Sequence, residues 1–186
     1  TTLTAMAHLT AVDASIEDLR QVIGSYAAAD ISNILAIRGD PPGDKDADWV
    51  PHPAGLSYTE ELVHMVRRLG DFCVGVAAFP YLHPRSIDED SDTRFFIQKV
   101  KAGAEFAITQ MFYDADQFLR MRDRIAASGC DIPIMPGLMP VTTPKSAERG
   151  ADFSGAPLPP AMLEKLEPLA EDATGYREAG IDCCVE

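Results

Sequence analysis

A chain of 186 residues with 46% hydrophobic and 24% charged positions has the profile of a globular domain, not of a disordered segment. Its formal charge of −13 excludes a nucleic-acid partner, because that role draws on lysine and arginine to neutralise phosphates. No apolar run approaches the ~20 residues needed to cross a bilayer, the N-terminus has no basic, apolar, cleavable pattern, and the cysteines Cys73, Cys130, Cys183 and Cys184 form neither a C-x-x-C pair nor a histidine-rich metal cluster, so they read as reduced thiols of a cytosolic protein without a metal site.

Taken in chain order, short apolar β-rich runs alternate with amphipathic stretches of helical period, the pattern of βα units feeding a parallel sheet. The predicted strands are Thr4 to Leu9, Ser32 to Ile37, Cys73 to Phe79, Phe106 to Met111 and Ile132 to Leu138. Each is nearly continuous in apolar residues, as expected for strands covered on both faces. Helices are predicted at Ile16 to Ala29, with Ser15 as N-cap, and at Thr59 to Leu69, Asp90 to Ala102 and Asp114 to Ala127. Gly70, Gly103, Gly129 and Gly180 each stand where a helix is expected to stop, and Asp30 fills the same slot after the first helix. After Gly180 the run Ile181 to Glu186 reads as the start of another element. A closed barrel of eight units usually takes ~250 residues. Five units therefore read as an α/β chain, a parallel (β/α)8 TIM barrel with about five βα units present, forming one domain over 1–186 that is incomplete at both termini.

Chemistry in such barrels gathers at the C-terminal ends of the strands. There the sequence places His8-Leu9-Thr10, Arg38-Gly39-Asp40, Phe79-Pro80 with His83, and Thr109-Gln110. A histidine, a charged pair and an amide on one rim suit a planar, polar ligand. Arg38 and Asp40 equally suit a bridge to each other across a tight Gly39 turn, and His8 alone suits a satisfied rim histidine. Gln110 ends an apolar strand and needs a partner there, either a ligand or a neighbouring backbone group. The stretch from Asp40 to Ser57, with Trp49, is long for a βα connection and reads as a lid or ligand wall. The acidic run Asp88 to Asp92 suits a helix start, without calcium-loop spacing. By spacing alone, Lys99 reads as a solvated surface lysine.

The segments His8-Leu9-Thr10, Asn33 through Arg38-Gly39-Asp40-Pro41-Pro42, Val76 through Phe79-Pro80, His83-Pro84, Lys99 through Ala104, Ala107-Ile108-Thr109-Gln110 and Pro136 through Val141 together resemble the bacterial methylenetetrahydrofolate reductases, from the first residue to about Ala161. The resemblance implies an oxidoreductase of one-carbon metabolism and methionine biosynthesis. Its barrel holds FAD, which is reduced by NADH or NADPH and in turn reduces 5,10-methylenetetrahydrofolate to the 5-methyl form. It also implies self-association. By resemblance His8, Arg38, Gly39, Asp40, Tyr58, Ala78, His83, Asp92 and Lys99 contact the flavin. Asp40 also reaches the folate and tunes the flavin, and Gln110 contacts the folate.

Three positions depart from the family pattern. Phe79 replaces a frequent Tyr, and Phe95 and Gln98 stand where Asn and Arg are expected near the cofactor's phosphates, which weakens anion recognition there. The family's general acid, a glutamate on the first barrel strand, has no counterpart in this sequence, so the chain alone is expected to be inactive. Two further readings stay open: a non-catalytic or flavin-independent folate-binding relative, and another folate or flavin barrel such as a corrinoid-linked methyltransferase.

Overall fold

The computed structural model describes residues 4–41, 43, 47–83, 85–154 and 158–185; Pro42, Pro84 and Glu186 lie outside the described residues. Five strands, β1 (Met6–Thr10), β2 (Asn33–Ile37), β3 (Cys73–Ala78), β4 (Phe106–Met111) and β5 (Ile134–Gly137), pair in parallel in the order of the chain. Between them run α1 (Ile16–Ala28), α2 (Thr59–Leu69), α3 (Glu89–Lys101) and α4 (Ala115–Ala127). A doubly wound sheet would reverse its strand order part-way and put helices on both faces. Here the order never reverses, and right-handed crossovers then leave successive helices on one face, where α1 meets α2, α2 meets α3 and α3 meets α4. This is the α/β arrangement of an arc of a (β/α) barrel.

Local chemistry explains the helices. Ser15 caps α1 by accepting from the Asp18 amide at 3.1 Å, while the Asp18 carboxylate accepts from the Ser15 amide at 3.0 Å. The α2 segment carries Glu60 and Glu61 in its first turn and Arg67 and Arg68 in its last, complementing the helix dipole at both ends. Its buried face is Leu62, Val63 and Val66. Those residues join Leu19, Ile23 and Phe96 over Ile34, Ala36, Val74, Val76, Ala78 and Ala107 of the sheet. Each large aliphatic side chain so buried contributes ~1.5–3 kcal/mol relative to exposure.

Strand and helix boundaries fall within two residues of those the sequence predicts, and the left-handed turns appear at Gly103 (φ 118°), Gly129 (φ 78°) and Asp30 (φ 55°). Three expectations need correction. Gly70 is extended (φ −179°), with the Phe72 ring packed beside its Cα, so it is not a left-handed cap. The edge strands are not covered on both faces: Met6, His8 and Thr10 on β1 and Met135 on β5 are exposed, because each edge strand has a neighbour on one side only. Gly180 does not end a helix. It lies inside α7 (Ala173–Asp182), which takes in Ile181 and Asp182, the first residues of the run expected to begin a new element.

The sequence also gave no elements between Thr143 and Asp172. There the chain forms α5 (Pro144–Ser154), α6 (Pro160–Leu166) and a 3-10 turn (Glu167–Leu169). Together with α7 they close a second, smaller core of Val141, Leu158, Met162, Leu166 and Tyr176. Gly180 is the tightest point of that core: a Cβ there would collide with the Val141 carbonyl oxygen, a backbone atom that cannot swing away.

Two glycine-to-alanine substitutions should therefore differ in sign. Gly24→Ala, in the middle of α1 with open space around it, is expected to raise stability by about 0.5–1 kcal/mol. Gly180→Ala is expected to lower it by ~1–3 kcal/mol through overpacking. Urea denaturation midpoints of the two variants decide both.

Candidate functional site

The pairing register determines what reaches the rim. Thr10 is opposite Ile37, Ala36 opposite Val76, and Ala78 opposite Thr109, so β1 and β2 end at one level, β3 one residue later, and β4 runs two residues further to Met111. Above those ends lies a cavity of about 410 Å³, within the usual size range of small-molecule sites. Its floor is made of small residues at the strand ends, Ala36, Gly39, Ala77 and Ala78. Arg38, Asp40, Gln110 and His83 project from the loops and strand ends, Tyr58 and Glu60 come from the start of α2, and Asp92, Phe95 and Lys99 from α3.

Gly39 serves the wall in two ways. Its φ of 84° is one that residues with a side chain rarely adopt, and a Cβ would sit 2.6 Å from the Val12 side chain. Only glycine lets the chain turn there and aim Arg38 and Asp40 at the cavity. Arg38 stacks over the Trp49 ring at 4.8 Å. Desolvation and the neighbouring Arg85 guanidinium lower its pKa, with Asp40 opposing them.

Lys99 is not a solvated surface lysine. Its ammonium donates to the Ala77 carbonyl at 2.6 Å, at the end of β3, and lies 5.4 Å from the Phe96 ring centre. Part of the side chain stays exposed, yet desolvation of the charged end pulls its pKa down to about 8, against the favourable pull of Asp92 and Glu60.

His83 packs edge-on against the Phe79 ring, 4.4 Å between centres, and its Nδ1 accepts from the Arg85 amide at 3.1 Å. That bond leaves the ring proton on Nε2. Burial lowers its pKa; Asp92 pulls the other way, while Arg38, Lys99 and Arg85 add to the lowering. Asp92 in turn accepts from the Ser86 hydroxyl at 2.9 Å. The acidic run is thus split: Asp88 caps α3 through the Ser91 amide at 2.7 Å, while Asp92 faces the cavity.

Most residues singled out in the sequence meet here: Arg38, Gly39, Asp40, Tyr58, Ala78, His83, Asp92, Lys99 and Gln110 all line the cavity. His8 does not. It pairs with Leu35, a layer below the rim, and is exposed on the edge strand. Arg38 and Asp40 form no ion pair with each other among the described residues. The Gln110 carbonyl accepts from the Met111 amide at 2.9 Å, and the residue lines the cavity with its NH2 still available to donate. Phe95 lines the wall but Gln98 is exposed outside it. Arg85, Thr93 and Arg124 also line the cavity and had no signal in the sequence. Arg124 reaches it from α4, where it pairs with Glu89 at 3.1 Å. Among the described residues no cluster of His, Cys, Asp and Glu could hold a metal ion, and no helix is long and apolar enough to cross a membrane.

The family model for methylenetetrahydrofolate reductase matches residues 1–186. The chain belongs to the methylenetetrahydrofolate reductase family. The match extends past Ala161, where the resemblance read from motifs stops, and takes in the second core. Methylenetetrahydrofolate reductase 1 of Schizosaccharomyces pombe is 38% identical over 96% of the chain, which spans 30% of that relative. The 5,10-methylenetetrahydrofolate reductase of Escherichia coli is 35% identical over all of the chain, which spans 60% of it. Family membership is thus as visible against a fungal relative as against a bacterial one.

Among solved structures, an uncharacterised Clostridium thermocellum protein that binds two copies of 5-methyl-5,6,7,8-tetrahydrofolic acid superposes with a TM-score of 0.56 at 14% identity, over 94% of this chain and 58% of that one. Phosphonopyruvate hydrolase superposes with 0.53 at 16% identity, over 94% and 61%. At these identities the likeness is one of fold.

The burial of Lys99 has a measurable signature. Its pKa is lower folded than unfolded, so between about 8 and the ordinary 10.5 the folded chain binds fewer protons, and stability gains from Lys99 as pH rises through that window. Lys99→Met should be more stable than the parent at pH 7 in the ligand-free protein. The difference should shrink as pH rises from 8 to 10.5, read from urea midpoints across that range.

Proposed function

We propose that residues 1–186 form one domain that contributes five units to a (β/α)8 barrel and carries the cofactor and folate rim of a cytoplasmic methylenetetrahydrofolate reductase. The reaction is the NADH- or NADPH-driven, flavin-dependent reduction of 5,10-methylenetetrahydrofolate to 5-methyltetrahydrofolate, in one-carbon metabolism and methionine biosynthesis. The observation that carries this reading is the convergence of Arg38, Asp40, His83, Asp92, Lys99 and Gln110 on one cavity in a chain of this family.

The cavity fits a flavin dinucleotide on its own chemistry. Its floor of small residues leaves room for a flat ring, Phe79 and Phe95 offer apolar walls, and the desolvated Lys99 ammonium with Arg38 offers charge to phosphates. When bound, FAD would accept hydride from the nicotinamide and pass it to the folate's one-carbon unit. Arg38, Tyr58, His83, Asp92 and Lys99 would hold and orient the cofactor, with Gly39 and Ala78 giving close approach. Asp40, on the loop leaving β2, would set a negative charge beside the ring, raising the cost of a reduced anion and favouring onward transfer. The NH2 of Gln110 would donate to the folate. His8 is kept in the reading as a more distant flavin contact from β1. No residue of this chain takes the general-acid role.

Joined to the remaining units of the barrel, the chain should show flavin absorption, oxidise NADH or NADPH with menadione, and then do so with methylenetetrahydrofolate, whereas the chain alone should not turn over the folate. Asp40→Asn is expected to keep its flavin content while losing at least about tenfold in folate-dependent turnover, a barrier change of ~1.4 kcal/mol. Gln110→Ala should raise the folate KM and leave menadione reduction unchanged. Flavin without folate-dependent turnover would favour the alternative of a non-catalytic folate-binding relative; turnover without flavin would favour a flavin-independent one.

A further inference from the structure

A second cavity, of about 420 Å³, opens beside the first under the long β2–α2 loop, lined by Arg38, Ala47, Asp48, Trp49 and Arg85. Arg38 and Arg85 line both cavities. Each is near enough to the other for Arg85 to depress the pKa of Arg38, an arrangement that costs free energy unless an anion lies between them. Among the described residues neither guanidinium is in an ion pair. Arg85 spends one N–H on the Ala47 carbonyl at 3.2 Å, and Arg38 is held by its stack on Trp49 at 4.8 Å.

The third group is independent of charge. The indole Nε1 of Trp49 is buried and has no acceptor, although it belongs to a residue that lines this same polar cavity. An indole N–H can only donate, and buried donors are almost always satisfied. Two planar guanidinium forks around one space call for a ligand that only accepts and carries negative charge, and the orphaned Trp49 N–H, closed off behind the wall in the ligand-free chain, comes within reach of such a ligand when the indole turns. Phosphate oxygens meet that demand in geometry as well as charge. The acid on the wall, Asp48, narrows the position of such a ligand to the arginine side. The neighbouring stretch of α3 offers Phe95 and an exposed Gln98, so apart from Lys99 it brings no cation to this wall.

We propose that Arg85, Arg38 and the Trp49 N–H form a diphosphate-binding subsite for the dinucleotide whose ring system occupies the first cavity. Arg85 is then a binding residue, and Trp49 fixes the loop over the phosphates. This rests on the functional reading above and adds to it a residue set and a ligand group. The same chemistry could serve the diphosphate of FAD or that of the nicotinamide nucleotide.

Calorimetric titration of the flavin-free protein with FAD, riboflavin and NADH separates these cases. Arg85→Gln, a change at an exposed position, is expected to weaken FAD at least tenfold and riboflavin less than twofold, and to flatten the salt dependence of FAD binding. Trp49→Phe, which keeps a ring over Arg38 but removes the N–H, is expected to weaken FAD severalfold and riboflavin not at all. If NADH and not FAD loses the tenfold, the subsite stands and its diphosphate is the reductant's. Unchanged FAD and NADH affinity in Arg85→Gln, or an equal loss for riboflavin, overturns the subsite alone. A parent protein that binds neither flavin nor NADH overturns it together with the functional reading.

Discussion

Parallel pairing in the order of the chain is the constraint on which the rest of the structure depends. Every parallel strand releases its chain at the same end, and here β3 ends one residue past β2 and β4 two residues past β3. Three separate loops are thereby forced into one neighbourhood, and side chains far apart in sequence, Asp40, His83 and Gln110, face a common space. One contact pins helix to sheet at these strand ends: the Lys99 ammonium on the Ala77 carbonyl at 2.6 Å, which ties α3 to the end of β3. The same bond holds a cation under the rim, where desolvation keeps it costly and available to an anion.

Charge is distributed against the overall balance of the protein. The chain carries a formal charge of −13, yet Arg38, Arg85, Lys99 and Arg124 all face the cavity. A negative surface around a cation-lined recess repels polyanions in general while leaving a local attraction for a ligand small enough to enter. The acids that share the recess are partly committed already, Asp92 to the Ser86 hydroxyl at 2.9 Å, so that fixed hydrogen bonds and not mobile counter-ions shape the field.

The strands and first helices were legible because their signals are local. An apolar run between glycine-bearing turns, and a Ser15 or Asp114 ahead of a periodic stretch, say where an element lies before any tertiary contact is known. Motif spacing brought Arg38, Asp40, His83 and Gln110 to one rim. What stayed hidden depends on three-dimensional company. Lys99 looks like any surface lysine until β3 is beside it. Arg85 is an ordinary arginine after a proline until the β2–α2 loop brings the Ala47 carbonyl within 3.2 Å of it. Gly180 looks like a helix stop, whereas its missing side chain is demanded by the Val141 carbonyl packed against it. The second core was missed because its helices are short, and their apolar residues pack on Val141 from a distant part of the chain. His8 belongs to a rim motif, yet its register leaves it a layer below the cavity, which local sequence does not show.

The central claim is that one cavity, built on the ends of β2, β3 and β4, receives the dinucleotide. Hydrogen–deuterium exchange of the purified protein with and without FAD tests it most directly. Added protection is predicted at residues 38–40, 77–83 and 92–99, with the second core at 158–182 unchanged. Protection that falls instead on the second core, or none at the three rim segments under saturating FAD, would contradict the account.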